Sequence, residues 1–225
     1  MPADDPRAAS DRGAVGRLLA RVLAADPPAA DGSVTVLPQP PGPVAGILAF
    51  TGHHVVAADV DPAWVASVVP HGDFAAPVSG PFVEALAARL GRSYDNLDLV
   101  LTASALAGPP SLELVPVDAD HDHPRLHRAG RYRRDVRAWQ TPERDALVLL
   151  GRGLAERWEV AFEVEPGARG RGLGRALATA GRHLVPDGEP LFLQVSPGNV
   201  SSLRAVLGAG GFTPIGAEIL FPEPD

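Results

Sequence analysis

The segment Arg169–Gly174, with the sequence RGRGLG, combines cationic side chains with closely spaced glycines. Before it, Val160–Val164 alternates apolar and polar residues as a β-strand does, and Pro166 and Gly167 end that strand. After Gly174, apolar residues recur at helical spacing. A glycine-rich turn that leads from a strand into a helix leaves backbone N–H groups without intrahelical partners, at the positive end of the helix dipole. This segment is therefore predicted to bind a phosphate or pyrophosphate group.

The spacing of the glycines excludes two common nucleotide-binding motifs. A dinucleotide fingerprint requires G-x-G-x-x-G, but three residues after Gly172 the chain has Arg175. A P-loop requires a lysine after its last glycine, and this chain contains no lysine.

The chain beyond the glycine-rich segment alternates strands and one helix. Leu191–Val195 is predicted to form a short strand, and Asn199–Leu207 a helix that begins at the asparagine. Gly210–Phe212 ends this helix, and Ile215–Phe221 is predicted to form a final strand.

The segment Arg169–Gly174 fits the pattern R/Q-x-x-G-x-G/A. Together with the elements that follow it, the segment resembles the acetyl-CoA loop of the GNAT N-acetyltransferase superfamily. The resemblance covers about residues 131–221, and it includes Asn199 and the Gly211-Phe212 pair at the expected distance. It implies an α/β fold with a mixed, mostly antiparallel central sheet flanked by helices, and acetyl-CoA as co-substrate. By the same resemblance, the backbone N–H of Val164 meets the thioester carbonyl. The cofactor-binding residues that it implies are Phe162, Val164, Arg169, Gly170, Arg171, Gly172, Leu173, Gly174, Arg175 and Asn199.

The general base that the resemblance implies is a carboxylate on the strand before the loop or just ahead of it. Glu159 and Glu163 are the candidates, with Glu156 behind them. In strict register the family's acidic base falls on Trp158, so a β-bulge in this strand would be needed to correct the register. On the next strand Gln194 stands where some relatives carry Glu, and an amide is not a base.

The sequence departs from the family at the general acid. Many members carry a tyrosine on the helix after the asparagine, where this chain has Val206 or Leu207. The thiolate would then leave unassisted, through water, or with a proton from elsewhere. Tyr94 and Tyr132 are the only tyrosines, and both are expected to be packing residues.

Composition excludes several classes of function. The 225 residues carry a formal net charge of −7, which argues against a nucleic-acid partner. The absence of cysteine excludes disulfides, thiolate metal sites and a cysteine nucleophile. With no apolar stretch long enough to span a bilayer and no signal-peptide pattern, we expect a cytoplasmic protein without a membrane partner.

The domain prediction divides the chain into two lobes. Residues 1–10 are expected to be frayed, and 11–120 to form an N-terminal α/β lobe that shapes the acceptor pocket. Residues 121–130 are expected to link it to the acetyl-CoA-binding lobe, 131–225. By length and element order, the N-terminal lobe is compatible with a degenerate GNAT-like lobe.

Periodicity predicts the remaining elements. Helices are expected at about 11–25, 62–69 and 80–90, and strands at 44–50, 55–60, 97–102, 112–117, 131–140 and 146–151.

Histidines suggest two further sites. His121, His123 and His127 could form a metal site, but their polar segment favours solvated side chains and no metal. His53 and His54 fall in a predicted hairpin turn, either as plain surface residues or facing a substrate cleft.

Together these observations predict an acetyltransferase that moves the acetyl group of acetyl-CoA to a primary amine by direct attack. The alternative is a non-catalytic module that binds CoA or acyl-CoA and has a regulatory role. Use of a longer acyl-CoA also stays open. The acceptor, whether a small molecule or a peptide amine, and the oligomeric state are not specified by the sequence.

Overall fold

The computed structural model describes residues 12–118 and 121–224. The segment predicted to be frayed, 1–10, lies outside the described residues. Within them the chain forms six α-helices and ten β-strands, and most strand pairs are antiparallel. The predicted mixed α/β fold with a mostly antiparallel sheet is thereby confirmed. None of the described helices is long and apolar enough to cross a membrane.

The helices are α1 (Gly13–Leu23), α2 (Pro62–Val68), α3 (Gly80–Leu90), α4 (Pro124–Tyr132), α5 (Leu173–Leu184) and α6 (Val200–Ala209). The strands are β1 (Val34–Leu37), β2 (Val44–Phe50), β3 (His53–Ala57), β4 (Asp98–Ser104), β5 (Val115–Val117), β6 (Arg134–Gln140), β7 (Ala146–Arg152), β8 (Trp158–Val164), β9 (Pro190–Val195) and β10 (Thr213–Pro222).

The chain divides into two compact units. Unit 1 comprises the described residues of Met1–Asp98, Leu154–Glu156 and Ile215–Asp225. Unit 2 comprises the described residues of Leu99–Gly153 and Arg157–Pro214. The C-terminal strand belongs mainly to unit 1 because β10 pairs with β2. The units therefore do not follow the predicted boundaries at 120 and 130, and those lobes stay a prediction.

In unit 1 the strands lie in the order β1-β3-β2-β10. Helices α2 and α3 cover one face, where Val56, Phe82 and Leu86 are buried together. Neighbouring strand residues point to opposite faces, so Val55 lies on the other side of the sheet. Helix α1 lies on that second side and buries Val15 there.

In unit 2 the strands lie in the order β4-β9-β8-β7-β6-β5. Helices α5 and α6 cover one face, with Val160, Leu177 and Val206 in a common core. Helix α4 covers the opposite face and packs Leu126 near Leu149. Both faces of β7 are therefore buried, in agreement with its almost wholly apolar sequence.

Several helix boundaries follow from local chemistry that the sequence shows. Helix α2 begins with Pro62, and the Asp61 side chain accepts a hydrogen bond from the Ala63 N–H at 2.8 Å. Helix α3 ends at Gly91, which adopts a left-handed φ of 64°.

The structure corrects the predicted hairpin turn at His53 and His54. Both residues belong to strand β3 and are buried, with exposed fractions of 8% and 6%. The turn is formed by Thr51 and Gly52 instead. The prediction was wrong because polar side chains were taken as a turn signal, whereas these two rings are held inside unit 1.

Several more elements differ from the prediction. Part of the segment predicted as a linker, 121–130, belongs to helix α4, so the next strand begins at Arg134 rather than Arg131. Strand β5 is shorter than predicted, and β1 was not predicted at all. Strand β8 pairs with β7 in continuous register from Trp158 to Val164, so the bulge considered for β8 is absent.

Candidate functional site

The glycine-rich segment connects β8 to α5 through a tight turn. A 3₁₀ turn at Pro166–Ala168 follows the strand, and Gly172 is the N-cap of the helix. Gly172 has a φ of 88°, a left-handed conformation that glycine adopts without steric cost. Its helix has no side-chain cap hydrogen bond at this end. The N–H of Arg175 donates to the Gly172 carbonyl at 3.0 Å, so the N–H groups of Leu173 and Gly174 are the ones available to an anion in the first turn.

A cavity of about 400 Å³ opens beside this turn, and all of its lining belongs to unit 2. Four guanidinium groups line it, against one carboxylate, Glu163. The excess of positive charge suits a ligand with several negative charges. The lining residues are Arg125, Phe162, Glu163, Val164, Ala168, Arg169, Gly170, Gly172, Leu173, Gly174, Arg175, Asn199, Ser201, Ser202, Arg204 and Ala205.

Helices α5 and α6 approach closely at one wall of the cavity. A side chain at Gly174 would place its Cβ 3.3 Å from the Cβ of Ala205, tighter than ordinary contact. Ser201, Arg204 and Ala205 share one face of α6 because they are spaced i, i+3 and i+4. Arg204 therefore lines the same cavity as the glycine-rich turn.

Asn199 has a structural role as well as a place in the lining. Its side-chain oxygen accepts a hydrogen bond from the Ser202 N–H at 3.1 Å, which caps α6. The asparagine thus fixes where α6 begins and presents Ser201 and Ser202 to the cavity.

Strand β8 parts from β9 beside the cavity. In their parallel pairing Trp158 lies opposite Leu191 and Glu159 opposite Phe192, and the described ladder ends there. From Val160 onward β8 stays paired with β7 on its other side. The end of β8 next to the cavity therefore has an edge toward β9 that an extended ligand could pair with.

Glu163 lies in the cavity and pairs with Arg125. The Nε of Arg125 donates to Oε2 of Glu163 at 2.7 Å, and both side chains are a little over one third exposed. The hydrogen bond from Arg125 is the main cause that holds the pKa of Glu163 below its ordinary value. Glu163 is therefore an anion at neutral pH, able to attract a cationic group.

Removal of this partner is expected to raise the pKa of Glu163. In Arg125→Gln the hydrogen bond and the positive charge are both lost, so the pKa should move up toward 4.5. A ¹³C NMR titration of the Glu163 side chain in wild type and variant measures this shift. Arg134→Gln is the matched control, since Arg134 is exposed and lies outside the cavity lining. An unchanged midpoint in Arg125→Gln would contradict the ion pair.

Glu159, the other predicted base, lies in a buried ionic cluster and is not among the described lining residues of the cavity. Its carboxylate contacts the Nε of Arg157 at 2.8 Å and the Nε of Arg133 at 2.9 Å. Burial alone would raise the pKa of Glu159, but the charges of the two arginines outweigh it and the pKa is lowered. Gln194 joins the cluster by accepting from Arg133 at 2.9 Å.

A glycine makes room for this cluster. Any side chain at Gly153 would overlap the carboxylate of Glu159. The backbone N–H of Gly153 also donates to the carbonyl of Arg157 at 3.0 Å, so the chain folds back tightly before β8. The geometry favours a structural role for Glu159, because its carboxylate pairs with Arg133, just before β6, and with Arg157, just before β8.

The structure brings nine of the ten predicted cofactor residues into the described cavity lining. The tenth, Arg171, is exposed and outside that lining. Arg125 and Arg204 were not predicted. Two signals could have predicted them. A proline directly after His123, a potential N-cap, indicates the start of α4, which carries Arg125. Helical spacing after Asn199 places Arg204 on the same face of α6 as Ser201.

The other candidate residues have local roles. His123 caps α4, because its Nδ1 accepts from the Arg125 N–H at 3.1 Å. Val206 is fully buried and Leu207 is exposed, so neither replaces the tyrosine of the family at the cavity. Within 12–118 and 121–224, no three potential metal ligands come together.

No protein-family model and no curated protein sequence matches the chain. Among solved structures, the chain is similar to an acetyltransferase of the GNAT family from Colwellia psychrerythraea, with 15% identity and a TM-score of 0.40. That match covers 64% of this chain and 63% of the other, so it spans less than two thirds of that relative.

Two further structures give similar values. A protein from Novosphingobium aromaticivorans assigned to the GNAT family is 19% identical, with a TM-score of 0.38 over 60% of this chain and 69% of the other. A conserved protein of unknown function from Staphylococcus epidermidis is 14% identical, with a TM-score of 0.37 over 66% and 69%. At such values the functional inference rests on the side chains of the cavity.

Proposed function

We propose that unit 2 binds acetyl-CoA and that the protein is an acetyltransferase acting on a primary amine. One observation carries the proposal: the glycine-rich turn, the N-terminus of α5 and four arginines line the same cavity. Backbone N–H groups at a helix N-terminus and guanidinium groups are the donors that bind phosphate in proteins. A CoA pyrophosphate fits this donor set.

The cavity divides into a phosphate-binding part and a reacting part. Arg169 is fixed at the turn, because its Nε donates to the carbonyl of Val164 at 3.0 Å. Phe162 and Val164 line the same cavity from β8, and the edge of that strand offers backbone groups to the pantetheine amides. The acyl group would then lie along β8, near Glu163.

Glu163 is the residue proposed to accept the proton in the reaction. The amine nitrogen attacks the thioester carbonyl, the new C–N bond forms as the C–S bond breaks, and the acetyl group passes to nitrogen. The proton lost by the nitrogen goes to Glu163, directly or through water, and the thiolate leaves. The anionic state of Glu163 also attracts the protonated form of the amine, which reacts only after it has released one proton to solvent.

The Glu163→Gln variant tests this role. The amide keeps the size of the side chain but accepts no proton, so amine-dependent thiol release should fall by about 100-fold or more. Acetyl-CoA affinity should change little, since the phosphate-binding donors remain. The assay screens the wild type over a panel of primary amines and then compares the variant on the best amine. Equal turnover by both proteins would contradict the role of Glu163.

A second function, an acyl-CoA-binding module without catalysis, is favoured by one feature of the cavity. No tyrosine is present among its described lining residues, so no phenol is positioned to protonate the leaving thiolate. The same screen distinguishes the two functions. Acetyl-CoA binding without thiol release on any amine would favour the binding module.

A further inference from the structure

A second cavity, of about 530 Å³, lies in unit 1 between helix α1 and the strands β1 and β3. This volume is within the range of small-molecule sites, about 300 to 1,000 Å³. Its walls are mainly apolar, with Leu18 on the helix side and Leu37 and Val55 on the strand side. Within its described lining, polar side chains occur at two places only. Arg17 and Arg21 lie on α1, and Thr35 and His53 lie on the strands.

The cationic end of the cavity comes from one stripe of α1. Ala14, Arg17, Leu18 and Arg21 are spaced i, i+3, i+4 and i+7, so they face the same side. Arg21 is already neutralised, because its Nε contacts the carboxylate of Asp26 at 2.6 Å. Arg17 is exposed and has no ion pair with any described residue. Among the residues that the structure describes, the cavity thus presents one guanidinium without an anionic partner.

The polar end is a chain of hydrogen bonds through a buried histidine. The Nδ1 of His53 lies 3.1 Å from the carboxylate of Asp31, and its Nε2 lies 3.0 Å from the hydroxyl oxygen of Thr35. Asp31 stays ionised because hydrogen bonds, chiefly from the Ser33 hydroxyl, hold its pKa well below the usual range.

The ionised carboxylate decides the direction of the hydrogen bonds. A carboxylate only accepts, so His53 donates to Asp31 through Nδ1. In the tautomer with its single proton on Nδ1, Nε2 carries a lone pair and accepts from the Thr35 hydroxyl. The hydroxyl oxygen of Thr35, which lines the cavity, is left with lone pairs that accept from a ligand.

We propose that this cavity binds a small organic anion that carries an apolar body and a separate hydrogen-bond donor. The anion pairs with Arg17, the body packs against Leu18, Leu37 and Val55, and the donor meets Thr35. A few polar anchors around apolar walls fix the orientation of a small ligand in this way. This cavity shares no lining residue with the cavity of unit 2, so the proposal does not depend on the proposed function.

Four compounds probe the anchors by isothermal titration. The compound 4-hydroxyphenylacetate has all three features, phenylacetate lacks the phenol donor, and the methyl ester of 4-hydroxyphenylacetate lacks the charge. We expect 4-hydroxyphenylacetate to bind, and the ester and phenylacetate to bind several-fold more weakly. The fourth compound, benzene-1,4-diol, lacks the carboxylate and should also bind weakly. Equal affinity for the acid and its ester, or no binding of the acid, would overturn the proposal.

Two variants test the anchors one at a time. Arg17→Gln should weaken 4-hydroxyphenylacetate by about tenfold or more, since it removes a charged partner, and leave the ester unchanged. Thr35→Val, which keeps the side-chain shape, should weaken 4-hydroxyphenylacetate by about threefold or more and leave phenylacetate unchanged. Arg134→Gln, outside both cavities, is the charge control. Variants that bind the acid as wild type does would overturn the proposal.

Methyl NMR distinguishes this cavity from the cavity of unit 2, which four arginines line. Addition of 4-hydroxyphenylacetate should shift the methyl signals of Leu18, Leu37 and Val55 and leave those of Leu173 unchanged. The opposite pattern would mean that the anion binds in unit 2, and the proposal would be wrong. Because this measurement uses the wild-type protein, it does not depend on how well any variant folds.

Discussion

Gly172→Glu is expected to weaken acetyl-CoA binding by about 100-fold or more. The substitution places a carboxylate at the N-cap of α5, beside the N–H groups that we propose to bind the phosphate. The new negative charge opposes the pyrophosphate and competes with it for the same donors. Isothermal titration of wild type and variant with acetyl-CoA measures the loss.

The control for this variant separates charge at the cavity from backbone strain. A non-glycine residue in a left-handed conformation costs about 1 to 2 kcal/mol. Gly188 has a similar φ of 81°, and a Cβ at either glycine would meet no atom within 4 Å beyond its chain neighbours. Gly188→Glu should therefore carry the same strain without touching the cavity. If both variants lose affinity equally, or neither loses any, the glycine-rich turn is not the phosphate site.

Glu159→Gln is expected to lower the free energy of unfolding by about 3 kcal/mol or more. The fully buried carboxylate is the shared partner of Arg133 and Arg157, of which Arg157 is also almost fully buried. Without it, the two guanidinium charges lose the carboxylate that they share in the interior, and the loss of one partner of a buried ion pair is costly. Urea unfolding followed by circular dichroism measures the change.

Glu163→Gln is the matched control, because it makes the same change four residues further along β8. The Glu163 carboxylate is partly exposed and its ion pair is screened by water, so the loss should stay below about 1 kcal/mol. The two variants should therefore separate stability from catalysis: Glu159→Gln mainly destabilises, and Glu163→Gln mainly slows turnover. A Glu159→Gln protein as stable as Glu163→Gln would contradict the structural role of the cluster.

The strand, turn and helix around the glycines were correctly predicted because their signal is local. The end of β8, the glycines and the start of α5 are neighbours in the chain, so their spacing was enough to predict these elements, while phosphate binding at the turn stays a prediction. The same holds for α2 and α3, whose first and last residues carry their own cap signals. Most apolar runs were also correctly predicted as strands.

The parts that were not predicted depend on residues distant in the chain. Helix α4 is strongly polar, and it forms because one narrow stripe, with Leu126 and Ala129, packs on the sheet of unit 2. Arg125 enters the cavity only through that packing. His53 is buried because Asp31 and Thr35, about 20 residues earlier, supply its hydrogen bonds. A local pattern of polar residues does not show such partners.

Binding of acetyl-CoA in the cavity of unit 2 can be tested by isothermal titration of the purified wild-type protein with acetyl-CoA, repeated at higher salt and in the presence of CoA. We expect saturable binding of one acetyl-CoA per chain, which CoA competes with and salt weakens. Absence of saturable binding at millimolar acetyl-CoA would contradict the proposal and leave the glycine-rich segment as a turn between a strand and a helix.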